Sequence, residues 1–492
     1  MDLTKRNLWT YTLGTVGRDT AYQLFTSFLM VYIVFTKGLT PLQFTWVNML
    51  MIAIGIFDGM NDPLMGNILE ITRTKWGKFK PWITAGMLGT VAVWIISFCN
   101  TLTGNSYVAL FGAMYFLYSL VFTMNDIAYW GMLPSLASKK ADRDLLTSRA
   151  VLMSGVGAAI AQVLVPPLTT GRFAIGGSAV TAYPVLAVIF SVFCIGTQCI
   201  TLLGVKERPL PPRGAATVNR VGLGTIVKTI RSNDQLLWMT AIFLLSTIAG
   251  TVGGAGLGST YIYFTFGYEG SLYTIFIALG AVTSGVVMLF YKQVSMRFKR
   301  DQLIKLAACC IVGGYAAMLL TGLLVPNGAG MFKFALLILC NLFASGGHYL
   351  FYLVSMICIA NTVEYNEWKT GVRAEGIIFS VRPFLTKLGA VTVQFITWLV
   401  YLLVGVLGVT NQIAGLEREA AVGLDAQLKA ERVKAVLAGV PQSKGTALIA
   451  CMALIPIALY VLSYGIYKRK FVLDEARYET ILSDLEERKA QV

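Results

Sequence analysis

Twelve runs of near 20 residues, each almost free of charge, recur along this chain of 492 residues, and no other feature constrains its fold so strongly. Each is long enough to cross a hydrocarbon core of about 30 Å as a helix. Inside lipid the backbone must satisfy its own hydrogen bonds, which for isolated apolar runs means α-helix. The runs fall at residues 10–36, 43–70, 80–100, 106–134, 147–168, 182–205, 235–265, 270–292, 302–325, 332–362, 375–408 and 443–467. A hydrophobic content of 56%, a charged content of 13% and a mean hydropathy of +0.67 put more apolar surface on the chain than a soluble globule can bury. An all-α integral membrane protein of twelve transmembrane helices is expected. Residues 1–9 are polar and the first apolar run is of full spanning length, so the first helix reads as a permanent span and not as a cleaved leader. The eight cysteines, among them Cys194, Cys340 and Cys358, lie in or beside spans with no CxxC spacing, which suits packing. His348 has no acid or second histidine at helical spacing, so a hydrogen-bonded packing role is expected for it.

The net charge of +15 could suggest nucleic acid, but its placement excludes that reading. With both termini in the cytoplasm, the outer segments hold only Lys37, Arg172, Lys333, Arg418, Lys429, Arg432, Lys434 and Lys444 of the 40 basic residues, and most of the rest fall in seven inner segments. This is the positive-inside pattern of a multi-pass protein of the cell (inner) membrane. Residues 206–234, opening KERPLPPRG, form the longest inner connection and separate six spans from six. The expected organisation is an N-terminal six-helix bundle at 1–205, a linker at 206–234, a C-terminal six-helix bundle at 235–467 and a cytoplasmic tail at 468–492. RTKWGKFK and MRFKRDQ, each following the second span of its half, are a weak echo of a parallel repeat. The first of these loops is placed to brace inner helix ends against acids such as Glu364, Glu367 or Asp142. Residues 416–441 lie outside, and their mixed charges suit a solvated or surface-lying helix, with a gating role as the lesser alternative.

Four basic residues remain within spans, Arg18, Arg149, Arg382 and Lys387, against four acids, Asp19, Asp58, Asp62 and Asp126; Glu364 and Glu375 sit near helix ends. At roughly 3 kcal/mol for a charge at a helix centre, eight of them facing lipid would cost on the order of 24 kcal/mol. They must share a polar interior. Buried ion pairs are a poor source of stability, so their number points to a site. On a helix Asp58, Asn61 and Asp62 follow an i, i+3, i+4 pattern and point from one face. Two close carboxylates repel unless one is protonated or a cation lies between them, and oxygen-only ligands favour a hard ion such as Na⁺. TMNDIAYW repeats the geometry in the fourth span, with Thr123, Asp126 and Trp130 near one face. An aromatic plate beside a carboxylate suits a sugar, whose ring face stacks while its hydroxyls seek acceptors.

DGMNDP followed by RTKWGKFKPW, then NDIAYW, then EYNEWKTGVRAEG with Lys387 downstream, resembles the glycoside-pentoside-hexuronide:cation symporters, the melibiose permease-like family. The likeness runs from Arg18 to Lys387, across both halves. It implies the major facilitator fold and transport by alternating access. It also implies that Asp58, Asn61, Asp62 and Thr123 hold the coupling cation (Na⁺, Li⁺ or H⁺), with Asp126 close by and Lys387 tuning the site. Arg18, Asp19, Asp126, Trp130 and Arg149 would bind sugar, with Tyr352 a weaker candidate.

One departure stands out: the eleventh span carries Arg382-Pro383 where small polar residues are expected. With four acids ionised the interior charges sum to zero, and to +1 once a cation is aboard. An acidic sugar such as a hexuronide would restore neutrality; alternatively Arg382 pairs with Asp19 or another interior carboxylate. Cation-coupled symport of a sugar or glycoside is therefore the expected function, with no organic cofactor and the protein working as a monomer. A membrane-embedded ligand sensor and a lipid-type facilitator of the same fold are the rivals. No nucleophile with a base, metal cluster or phosphate-binding loop points to an enzyme.

Overall fold

The structure, a computed structural model, describes residues 4–72, 74–137, 139–207, 231–253, 256–371 and 375–490. Most of the expected linker at 206–234, with Arg73 and Arg373 of the basic loops, lies outside the described residues. The first half gives α1 (Lys5–Tyr32, continued as a π-turn Ile33–Lys37), α2 (Pro41–Ile71), α3 (Lys80–Phe98), α4 (Gly104–Leu136), α5 (Lys140–Thr169) and α6 (Ala179–Gly204). After the linker come α7 (Asp234–Val252), α8 (Leu257–Phe266), α9 (Gly270–Ser295), α10 (Arg300–Leu324), α11 (Gly330–Thr370), α12 (Glu375–Val404), α13 (Leu407–Ala421), α14 (Ala426–Ala438), α15 (Gln442–Lys470) and α16 (Glu475–Ala490).

Among the described residues, 11 stretches are long and apolar enough to cross a membrane. The first expected span is not one of them, because α1 interrupts its apolar residues with threonines and the Arg18–Asp19 pair. At 28 residues it is nonetheless about 42 Å long, enough to cross. The described residues thus make twelve crossings, the seventh of them interrupted between α7 and α8. Leu203, Leu289, Leu324 and Leu403 are each at least 75% exposed on helix surfaces. Such residues belong against lipid.

Local signals start and stop the helices. Thr40 caps α2 in a reciprocal capping box with Gln43, followed by Pro41 at the first helical position. The chain reaches it through Gly38, whose φ of 60° is a left-handed conformation that suits glycine.

The chain divides into two compact units. In the first, α1 packs against α5 and α6, α3 against α4 and α6, and α2 against α4. Close approach depends on missing side chains: a Cβ on Gly17 would come within 2.3 Å of Thr197 Oγ1, and one on Gly86 within 2.5 Å of the Asn125 backbone nitrogen. Small residues at such crossings are how helices associate without a hydrophobic drive between them. Residues 267–274 and 401–440, which carry α13 and α14, also group with this unit.

In the second unit α10 packs on α11 and α15, and α15 on α7. His348 bonds through Nδ1 to the Tyr460 hydroxyl, which donates to the Ser246 carbonyl at 3.2 Å, so the lone histidine is held within the bundle. The tail is more than a solvated extension. Leu473, Ile481 and Leu485 bury against Tyr365 on α11, and Asp484 accepts from Trp368 Nε1 at 2.9 Å.

The outer segment 416–441 departs from the sequence reading. It belongs to a helical hairpin, and α13 buries a face including Leu407, Ile413, Leu416 and Glu417. Only α14 is largely solvated, with Lys429 and Val433 buried. Alanine-rich, charge-dotted sequence disguised an amphipathic helix that begins ten residues earlier than the charges do.

Candidate functional site

In the first unit the charged groups of α1 and α4 converge. Arg18 is 3% exposed. Its Nη2 lies 2.9 Å from Asp19 Oδ1 and its Nη1 lies 3.1 Å from Asp126 Oδ1, while Nε also donates to Asp19 Oδ1 at 3.1 Å. The guanidinium faces two rings, with Cζ 4.9 Å from the centre of Tyr129 and 5.3 Å from that of Trp130. A fork-shaped cation can join two carboxylates and still stack on aromatic faces, which a lysine cannot do. Two acceptor atoms remain of interest. Asp19 Oδ2 is buried with no hydrogen-bond partner. The Asp126 side chain is 40% exposed, so this end of the cluster is open.

One turn away along α4 stands a second group. Asp58 Oδ1, on α2, accepts from Ser119 Oγ at 2.7 Å and from Thr123 Oγ1 at 3.2 Å. Thr123 is buried, and Asn61 and Asp62, three and four residues after Asp58 on α2, are half-buried. Asp58, Thr123 and Asp126 thus fall along one stripe of α4 and its α2 contact. Arg149 stands apart: its guanidinium lies over the Trp9 ring at 5.3 Å. Trp9 precedes Arg18 by nine residues on α1, about 13 Å along the axis.

In the second unit Arg382 Nη2 donates to the Tyr352 hydroxyl at 2.7 Å, with Cζ 5.9 Å from that ring's centre. Among the described residues it has no carboxylate partner, and it is exposed. Lys387 sits half-buried further along α12.

Residues 10–469 match the family described as MFS/sugar transport protein. The chain belongs to that family. Among curated relatives it is 24% identical to a lactose permease of Lactobacillus helveticus, over 98% of this chain and 72% of that protein. It is 25% identical to a raffinose carrier protein of Pediococcus pentosaceus, over 97% of this chain and 70% of that one. Among solved structures, a bacterial homologue of the human lysosomal transporter Spinster superposes with a TM-score of 0.60 at 12% identity, covering 94% of this chain and 97% of that one. That likeness carries the fold alone, and it is the major facilitator fold. This member of the MFS sugar-transport family is a multi-pass membrane carrier, not an enzyme.

Two features of this family member escaped the sequence reading. Ser119 holds Asp58 as closely as Thr123 does, and the signal was present: Ser119, Thr123, Asp126 and Trp130 continue one stripe at i, i+4, i+7 and i+11. The second is Glu207, just beyond α6. Its carboxylate accepts from the backbone nitrogens of Lys78 at 3.0 Å and Lys80 at 3.3 Å, at the N-terminus of α3. The Lys80 ammonium donates to the Val205 carbonyl at 2.7 Å. The basic loop RTKWGKFK is thus a seat for an acid of its own half, on the positive end of a helix dipole. Glu207→Ala is expected to lower stability by about 1–2 kcal/mol, by the loss of a helix cap. Thermal unfolding of the purified carrier, with Glu207→Gln as the intermediate case, checks it.

Proposed function

We propose that the protein is a cation-coupled symporter of a sugar or glycoside, working by alternating access. The observation that carries this reading is the Arg18–Asp19–Asp126 cluster: a buried fork with an unpartnered carboxylate oxygen, an open carboxylate and the Trp130 ring in one place. Acceptors for hydroxyls beside an aromatic face are what a pyranose needs. Lactose and raffinose, named for the relatives, are the first sugars to try.

The coupling ion, Na⁺, Li⁺ or H⁺, would be held by Asp58, Asn61, Asp62 and Thr123, with Ser119 added and Asp126 one turn on. Carboxylate, amide and hydroxyl oxygens form a hard-ion donor set, and the Asp58 carboxylate bonded to two hydroxyls supplies part of it. Such an ion orders α2 and α4 and raises sugar affinity through Asp126; linkage requires the sugar to raise ion affinity by the same factor. Lys387, half-buried on α12, would tune the site's charge. Uptake of labelled sugar into proteoliposomes under imposed Na⁺, Li⁺ or pH gradients tests the reading. Binding without uptake would make the protein a sensor. Uptake indifferent to all three ions would make it a facilitator.

The substrate carries an acidic group in the finer form of this reading. Arg382, without a carboxylate partner among the described residues and held by the Tyr352 hydroxyl, is the group that would meet it. Arg382→Gln is expected to cut counterflow of a hexuronide at least tenfold while leaving a neutral glycoside within about twofold, since a charge-assisted bond contributes roughly 1.5–3 kcal/mol. Equal effects on both would remove the acid-sugar form and leave the symporter standing.

A further inference from the structure

The outer hairpin α13–α14 is joined to the first bundle more firmly than a surface insertion needs. Glu417 is fully buried and Lys429 is 4% exposed. Lys429 Nζ lies 3.1 Å from Glu417 Oε1 and also donates to the Gly177 carbonyl at 2.6 Å. The other carboxylate oxygen, Oε2, accepts from the backbone nitrogen of Ala179 at 2.6 Å, and the Ser178 hydroxyl donates to the Glu417 carbonyl at 2.5 Å. One residue of the hairpin thus serves as a second cap on α6. A separate bond runs from Asn411 Nδ2 to the Leu39 carbonyl at 2.8 Å, and the Arg418 guanidinium lies over Gly38.

The hairpin is nevertheless an insertion in the second half of the chain. Only Gly405 and Val406 separate Val404, the end of α12, from Leu407, and only Gly439 to Pro441 separate Ala438 from α15. At about 3.5 Å per residue these tethers reach roughly 10–14 Å. Gly405 has a φ of 68°, a left-handed conformation open to glycine and a natural pivot.

We propose that α13–α14 is an outer strap: while docked, it holds the outer ends of α12 and α15 within reach of its tethers, and it must release from the first bundle before the carrier can open outward. The catch is the set of bonds from Glu417 and Lys429, paired within the hairpin, to Gly177, Ser178 and Ala179 of the first bundle. This rests on the alternating-access reading above. A buried ion pair whose two carboxylate oxygens are both bonded and whose ammonium also reaches the Gly177 carbonyl gives a two-position contact instead of a graded one, because either charge alone is strongly disfavoured in the docked seat.

Two measurements test it. Ala179→Cys, whose side chain is buried at the docking seat, is exposed to a membrane-impermeant maleimide added from outside, with the parent protein correcting for native cysteines. Adding Glu417→Gln or Lys429→Met should raise its labelling rate at least tenfold. Secondly, Asn411→Cys with Leu39→Cys, bridged by a short bifunctional thiol reagent with a reducible link, should lose at least nine-tenths of sugar uptake and regain it on reduction. Each single cysteine variant should transport as the parent does. A labelling rate unmoved by Glu417→Gln, or a bridged carrier that transports at the parental rate, overturns the strap. If the unbridged parent moves no sugar under any gradient, the symport reading fails instead, and labelling still decides the strap.

Discussion

Arg18→Gln is expected to abolish sugar transport, with at least a hundredfold loss of uptake in proteoliposomes, and to destabilise the carrier by about 3–5 kcal/mol. The argument is one of uncompensated charge. Arg18 supplies three of the donors that reach Asp19 and Asp126, and the Asp19 side chain is only 9% exposed. Glutamine leaves Asp19 buried without a counter-charge, so that the carboxylate must take up a proton or rearrange. Either way it no longer presents a charged acceptor to a hydroxyl. Arg18→Lys restores the charge but not the fork, since one ammonium cannot bond both acids while stacking on Tyr129 and Trp130; it should recover stability better than transport. The triple variant Arg18→Gln, Asp19→Asn, Asp126→Asn separates packing from binding. Removing all three charges should restore most of the unfolding temperature without restoring uptake. Uptake by Arg18→Gln within tenfold of the parent would show that the cluster is structural.

How much of this was legible in the sequence follows from the range of each interaction. A bilayer rewards apolar length locally, so eleven crossings stand out by composition, and the twelfth, α1, is recognisable because polar residues in a spanning helix need a reason. The convergence of Arg18, Asp19 and Asp126 was likewise readable as a necessity, since stranded charges must meet. Which charges meet was not. The resemblance places Arg149 in the sugar-binding set, whereas the structure stacks it on Trp9, because a half-buried guanidinium gains from the nearest aromatic face and nothing in the spacing ranks Trp9 against Trp130. The seat of Glu207 joins residues about 130 apart in sequence through backbone nitrogens that look alike in any sequence. The hairpin failed for another reason: Glu417 and Lys429 are surface residues by type, and only the Ser178–Ala179 corner makes a buried site for them.

Asp58→Asn is expected to uncouple the carrier. Asparagine keeps a carbonyl oxygen that can still accept from Ser119 and Thr123, so the α2–α4 contact and the fold should survive, and only the charge is lost. A cation site without that charge binds Na⁺ or Li⁺ weakly, and a carrier without a bound cation gains nothing from the membrane potential. One charge moving through 100 mV releases about 2.3 kcal/mol, worth roughly fortyfold accumulation of a neutral solute. Asp58→Asn should therefore fall from that ratio to near equality inside and out, while sugar counterflow, which needs no net driving force, stays within about threefold of the parent. Thr123→Ala should weaken the ion response in part and Thr123→Ser hardly at all, since serine returns the hydroxyl. The measurement is accumulation against counterflow in the same proteoliposomes, with a potassium diffusion potential and Na⁺, Li⁺ or H⁺ supplied in turn. Potential-driven accumulation by Asp58→Asn at the parental ratio would take the coupling role from Asp58 and leave Asp62 on α2 as its bearer, because the other intramembrane acids, Asp19 and Asp126, are already engaged by Arg18.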